Sequence, residues 1–231
     1  MAGLCILIVQ GNTLLLGLPC HNLELRVNEE NGAIVFIVDD DASVRDSLRW
    51  LIESVQLPVQ CFATAQEFLD GYKNQQTGCV VLDVRMPGIS GLDLQEELRQ
   101  QNFVLPVIII SGHADVPMAV RAFKSGVFDF IEKPFNDQHL IDRIQQAIEK
   151  SRSQKVSTQR RQDACDRLQR LSSREIQVLD CIVAGCSNKT MARELDISVK
   201  TIETHRANLM SKMEAGSVSG LVRIALLADK K

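Results

Sequence analysis

Ala33-Ile34-Val35-Phe36-Ile37-Val38-Asp39-Asp40-Asp41 decides how this chain folds. The first six of these residues are all apolar, so neither side of an extended strand here suits water. Such a run predicts a strand covered on both faces, as in a parallel sheet held between helices. The three acids that follow put charge where that strand leaves the core. Downstream, Val44, Leu48, Leu51, Ile52 and Val55 recur at helical spacing over Ala42–Val55. Pro58–Phe62 reads as a second strand, and Ala65–Tyr72 as a helix with Thr64 as its N-cap. Cys79–Leu82, Pro106–Ile110 and Phe128–Ile131 read as three more strands. Between and after them lie helical stretches at Ser90–Gln101, Val116–Ser125 (closed by Gly126) and Asp137–Lys150. Five strands alternating with five helices specify an α/β, doubly wound, five-stranded parallel sheet. In such sheets the site lies beyond the C-terminal strand ends, where the strand order reverses.

The chain has 231 residues, room for two ordinary domains, and 45% hydrophobic with 24% charged residues is the make-up of a soluble globular protein. Its net charge of −3 hides two halves. Residues 1–150 hold 11 Lys/Arg against 20 Asp/Glu and residues 151–231 hold 15 against 9, giving −9 and +6. A basic end on an acidic body points to nucleic acid or another anionic surface at that end. Residues 151–167 are rich in Ser, Gln, Lys and Arg and read as a linker, helical or not. Residues 168–231 read as a small all-α domain with helices at Arg174–Ala184, Lys189–Leu195, Val199–Met213 and Ser217–Ala228.

Seven cysteines form no CxxC pair and sit mostly among apolar neighbours, the pattern of free thiols in a reducing cytoplasm. The spacing of Cys181 and Cys186 fits no zinc motif. Apolar patches at Cys5–Val9 and Leu14–Leu18 are too short to span a bilayer, and no Lys or Arg precedes Arg26. The expectation is a cytoplasmic protein with no membrane association. Residues 1–31 read either as an added strand or hairpin or as translation from a start codon placed too early.

The unusual residues fall at strand ends: Asp39, Asp40 and Asp41, then Asp83, Ser111 and Lys133. Any one of them has an ordinary explanation. A lone Asp after a strand is most often a turn residue or a helix cap, and Asp41 suits that role. Together they are chemically specific. Clustered carboxylates repel unless a cation compensates, and oxygen-only donors suit Mg²⁺. A carboxylate can attack phosphorus to form an aspartyl-phosphate, with a lysine and a hydroxyl nearby for the phosphoryl oxygens.

These residues carry a resemblance. Val38-Asp39-Asp40-Asp41, Leu82-Asp83-Val84-Arg85-Met86-Pro87-Gly88, Ser111-Gly112-His113 and Phe130-Ile131-Glu132-Lys133-Pro134-Phe135 resemble the receiver domain of two-component response regulators, over residues 34–150 of a domain spanning 32–150. The resemblance implies the flavodoxin-like fold and Asp83 as phospho-acceptor. It implies Mg²⁺ held by Asp39, Asp40, Asp83 and the Arg85 carbonyl. Lys133 and Ser111 would meet the phosphoryl group, Phe130 would turn inward, and the Lys133–Pro134 bond would be cis. A rival reading uses the same acids: Asp39-x-Asp41-x-Ser43 fits the signature of haloacid-dehalogenase-type phosphatases, with Asp39 as nucleophile and Mg²⁺ as cofactor.

In the tail, Lys189–Leu195 and Val199–Met213 around a short turn read as a helix-turn-helix, whose second helix enters the major groove. Met191, Ala192, Leu195, Ile197, Val199, Ile202 and Leu209 are the expected core. Lys189, Lys200, Thr201, Glu203, Thr204, Arg206, Asn208 and Lys212 are the expected DNA-facing residues. Leu171-Ser172-Ser173-Arg174-Glu175, Gly185-Cys186-Ser187-Asn188-Lys189 and Lys200-Thr201-Ile202-Glu203-Thr204-His205-Arg206 resemble the LuxR-type DNA-binding domain. In that family the last helix can serve as a dimer surface. Its stripe here, Val218, Leu221, Ile224, Ala225 and Leu227, fits simple core equally well. A receiver followed by this tail resembles the FixJ-like subgroup, to which Gly112-His113-Ala114-Asp115-Val116-Pro117-Met118 is also similar. The resemblance implies a regulator rather than an enzyme. Its partners would be a sensor histidine kinase, double-stranded promoter DNA, a second copy of the chain on phosphorylation, and RNA polymerase.

Overall fold

A computed structural model describes residues 8–9, 12–13, 32–72, 76–101, 103–112 and 115–229. The chain forms two units, residues 1–32 and 33–231. In the first, β1 (Ile8–Val9) pairs antiparallel with β2 (Asn12–Thr13), so one of the alternatives for residues 1–31, a hairpin, is present at these four residues. The remainder of residues 1–31 lies outside the described residues, as do His113 and Ala114 of the quoted motifs.

The second unit opens with the expected strand, β3 (Ala33–Val38). It continues through α1 (Ala42–Glu53), β4 (Val59–Phe62), α2 (Ala65–Gly71), β5 (Thr77–Asp83), α3 (Gly91–Gln100), β6 (Val107–Ser111), α4 (Val116–Lys124) and β7 (Asp129–Glu132). The five strands are parallel in the order β4-β3-β5-β6-β7. The chain steps outward from β3 to β4 and then back across β3 to β5, so the order reverses between β3 and β5. Register does the rest. Val38 pairs with Leu82, so Asp39 and Asp83, one residue on, leave the sheet side by side. Asp83 pairs with Ile110 and Ser111 with Glu132, which brings Ser111 and Lys133 to the same edge.

Alternation along the strands builds two cores. Phe36, Val38, Val80, Leu82 and Ile109 face one layer, and Val35, Ile37, Val81, Ile108 and Ile110 the other. All ten are fully buried, each stabilising by about 1.5–3 kcal/mol at full transfer value. The expected N-caps form: the side chains of Asp41 and Thr64 accept from the backbone N–H groups of Ser43 and Glu67. Asp41 is thereby committed to α1.

Most elements begin or end within one or two residues of the sequence reading, and one boundary differs by far more. The helix expected to stop at Lys150 runs on as α5 (Asp137–Gln169) through the whole segment read as a linker. Its 33 residues contain neither Gly nor Pro, so nothing in the backbone ends it. Gln159 donates to Asp163 and Gln162 to Asp166, both at i,i+4, which supports a polar helix that core periodicity alone does not reveal. Ser151 is buried because its hydroxyl accepts the Gly78 N–H at 3.2 Å.

Beyond α5 lie α6 (Ser173–Val183), α7 (Asn188–Glu194), α8 (Val199–Lys212) and α9 (Val218–Asp229), around a core of Val178, Met191, Ile202, Leu209, Met213 and Leu221. Leu168, from the end of α5, packs against that core. Val199, expected inside, is 40% exposed. It stands at the first position of α8, where Ile202 one turn later is the residue that reaches the core. Val218 is likewise exposed at the start of α9, so only Leu221 of its stripe is fully inside.

Candidate functional site

At the sheet's C-terminal edge, Asp39 is 2% exposed and Asp83 is 7% exposed. The Lys133 ammonium lies between them, donating to Asp83 Oδ1 at 2.7 Å and to Asp39 Oδ2 at 3.1 Å. The other oxygens accept backbone N–H groups: Asp41 N to Asp39 Oδ1 at 2.9 Å, and Arg85 N to Asp83 Oδ2 at 2.6 Å. Lys133 is itself fixed by its backbone N–H to the Ser111 carbonyl at 2.7 Å, ahead of a cis bond to Pro134. Two acids thus share one cation in a poorly hydrated corner.

The electrostatics follow from that burial. Desolvation pushes the Asp39 carboxyl above its usual value; the Asp41 N–H and Lys133 oppose it, and the Asp83 charge adds to it. Burial alone would lower the Lys133 pKa, but its hydrogen bond to Asp83 and the two nearby negative charges together raise it. Lys133 is thereby favoured as a cation between the two carboxyl groups. The donors are all oxygens, with Asp40 exposed beside the buried pair. This set fits a hard divalent ion such as Mg²⁺, which takes one or two carboxylates and keeps water ligands.

Ser111 and Phe130 lie on the next two strands, Ser111 at the strand end and Phe130 two pairs further in. Ser111 is buried at the end of β6, its hydroxyl 3.9 Å from the Met118 sulfur on α4. Phe130 on β7 is half-buried and packs against the same core layer as Met118. Sequence reasoning missed Arg45, whose guanidinium donates to the Asp39 carbonyl at 2.7 Å and ties α1 to the acidic loop. A cation one turn into a helix that follows three acids was the available signal.

In the tail, α7 and α8 form the helix-turn-helix, with Asp196 in the left-handed region at the turn (φ 52°). Lys189, Lys200, Thr201, Glu203, Thr204 and Asn208 are exposed. Lys200, Thr204 and Asn208 fall at four-residue steps along α8 and make one face. Arg206 is half-buried and donates to Asn188 Oδ1, linking the two helices. Lys212, grouped with the DNA-facing residues by sequence, donates to Glu175 Oε2 at 2.7 Å.

That pair gives a prediction. Glu175 is 3% exposed, and Lys212 with the Ser172 N–H holds its carboxyl down at about 2 against an ordinary 4.5. A depressed carboxyl stabilises the fold above its unfolded pKa and loses that contribution as pH falls toward the folded one. The C-terminal helices should lose stability between about pH 4.5 and pH 2, and Glu175→Gln should flatten that slope in acid-unfolding curves.

Two family models match: the response regulator receiver domain over residues 35–145, and the bacterial regulatory proteins of the luxR family over residues 169–225. The chain is 47% identical over 194 residues to the transcriptional regulatory protein FixJ of Bradyrhizobium diazoefficiens, covering 84% of this chain and 95% of that protein. It is 41% identical over 206 residues to the response regulator protein TodT of Pseudomonas putida, covering 89% and 90%. Among solved structures, the response regulator StyR superposes with a TM-score of 0.78 at 39% identity, over 85% of this chain and 99% of that one. Full-length FixJ from B. japonicum gives 0.53 at 46% identity, over 85% and 97%.

Proposed function

This chain belongs to the response-regulator receiver family, with a luxR-family regulatory domain behind the receiver, and we propose that a phosphoryl group on Asp83 controls how that second domain engages promoter DNA. The carrying observation is the Asp39–Lys133–Asp83 arrangement at the reversal of strand order. An Asp83 carboxylate oxygen attacks the phosphorus of a kinase phosphohistidine; the new O–P bond forms as the N–P bond breaks, and the imidazole takes a proton. Asp39, Asp40, Asp83 and the Arg85 carbonyl would hold Mg²⁺, which supplies positive charge for the phosphoryl oxygens. Lys133 turns from Asp83 Oδ1 to one of those oxygens, and the Ser111 hydroxyl donates to another. Phe130 follows inward, because it packs on the same layer as Met118, and the surface around Val116–Ile131 changes with it.

Residues 32–150 then act as receiver and 168–231 as DNA-binding domain, joined through residues 151–167 within α5. Two phosphorylated copies pair, which raises the effective concentration of two helix-turn-helix units on a two-fold site. Lys189, Lys200, Thr201, Thr204, Arg206 and Asn208 meet DNA, with Glu203 selecting against neighbouring phosphates; Lys212 serves Glu175 first. RNA polymerase is the downstream partner, and the work is done in the cytoplasm, where the promoters are. Among the described residues no helix is long and apolar enough to cross a membrane. The phosphatase reading is disfavoured because Asp41, its second acid, caps α1, and because it leaves Asp83, held by the same lysine, without a role.

The test is selection of duplex DNA from a random library by the full chain, with and without acetyl phosphate and Mg²⁺. Phosphorylation should tighten binding to the selected sites by at least about tenfold. Affinity should fall with salt at a logarithmic slope of roughly 0.9 per neutralised phosphate. Identical affinity and oligomeric state in the two arms would overturn the proposal.

A further inference from the structure

We propose that Cys181, Cys186 and Glu194 form a binding site for a thiophilic divalent cation, Zn²⁺ by preference, at the base of the helix-turn-helix. The two sulfurs and a Glu194 carboxylate oxygen all lie within 4.8 Å of one another. Cys181 Sγ is 3.8 Å from Glu194 Oε2. Ligands around one tetrahedral zinc stand about 3.5–3.8 Å apart, given bond lengths near 2.3 Å to sulfur and 2.0 Å to oxygen. Only side-chain adjustments separate the observed cluster from that geometry.

The backbone explains why these groups meet. α6 ends in a left-handed glycine, Gly185 (φ 80°), with the Cys186 N–H bonded to the Cys181 carbonyl at 2.9 Å. This six-residue closure places the residue after the glycine against the side chain three positions from the helix end, usually as an apolar contact. Here both members of that contact are cysteines. The same turn leads directly into α7, whose last residue is Glu194. The sequence spacing matched no zinc motif because it comes from a helix C-terminal turn rather than a knuckle, and because the third donor arrives from the next helix.

Two thiols and a carboxylate fill three positions and leave the fourth to water. As two metal–sulfur bonds form, two thiol protons go to solvent, so binding should weaken as pH falls. Both cysteines are half-buried and Glu194 is exposed, so an ion has access. The bound ion cross-links the end of α6 to the end of α7, bracing the first helix of the DNA-binding pair. The inference is independent of phosphorylation at Asp83.

The experiment uses the full chain, reduced and freed of metal, titrated with Co²⁺ as an optical probe and then with Zn²⁺. One Co²⁺ per chain should bind with sulfur-to-cobalt charge-transfer absorption, and Zn²⁺ should displace it. Cys181→Ser and Cys186→Ser should each abolish the band, whereas Cys61→Ser and Cys165→Ser should keep it. Glu194→Gln, a change on the exposed surface, should fold normally and weaken Co²⁺ binding at least about tenfold, since even outer-shell partners are worth that much. Absence of the band, its survival in either of the first two serine variants, or unchanged affinity in Glu194→Gln would overturn the site.

Discussion

Asp83→Asn is expected to reduce stable phosphoryl incorporation from acetyl phosphate, or from a cognate kinase, by on the order of a hundredfold or more. The amide is almost the same shape as the carboxylate, so the 2.6 Å hydrogen bond from the Arg85 N–H and the packing at the end of β5 are retained. What disappears is the nucleophile, because an amide oxygen is a poor one and would have to carry positive charge after attack. Lys133 keeps Asp39 as a partner, so no buried cation is stranded. The variant should melt no lower than the parent, since one of two like charges facing each other in a poorly hydrated corner has gone. Intact mass after treatment should show one added phosphoryl group on the parent, stable in acid and lost in base, and none on Asp83→Asn. Equal labelling of the two proteins would move the acceptor elsewhere, with Asp39 the first alternative.

How far the sequence carried this depends on what kind of physics placed each residue. The run Ala33–Val38 was legible because burial on both faces leaves no polar position to misread, and β5 and β6 follow the same rule, whereas the edge strands β4 and β7 carry polar or exposed positions. The acids were legible because each stands at the first polar position after such a run. Their mutual distances were not, because they come from register: Val38 opposite Leu82 is a pairing between residues far apart in the chain. Caps at Asp41 and Thr64 were local, and they form. The continuation of α5 was hidden, since a helix held by glutamine–aspartate pairs has no apolar period to announce it. The assignment of Lys212 depended on a partner 37 positions away. A lysine on a helix that also carries DNA-facing residues gives no sign of a buried glutamate behind it.

Gly91→Ala is expected to be the most damaging small substitution near the site, costing about 2–4 kcal/mol of folding stability. On propensity alone the change should help, since alanine is favoured over glycine within a helix. Space decides otherwise. A Cβ on Gly91 would stand 2.1 Å from the Asp83 carbonyl oxygen, 3.0 Å from the Asp83 carbonyl carbon and 3.1 Å from Val84 Cα. All three are backbone atoms, so no flexible side chain can swing away. The Gly91 N–H also donates to the Val84 carbonyl at 3.0 Å, which holds the start of α3 against that strand end. Relief therefore requires the Asp83–Val84 backbone to move, and with it the carboxylate that Lys133 holds at 2.7 Å. Displacements well under 1 Å matter for a reacting group, so labelling of Asp83 should slow by about tenfold or more even in the fraction that remains folded. Gly112→Ala is the control: nothing lies within 4 Å of its Cβ position, at the neighbouring strand end. It should shift the denaturation midpoint by less than about 0.5 kcal/mol equivalent. If urea denaturation placed the two variants together, close approach of α3 to the acceptor strand would not be what positions Asp83.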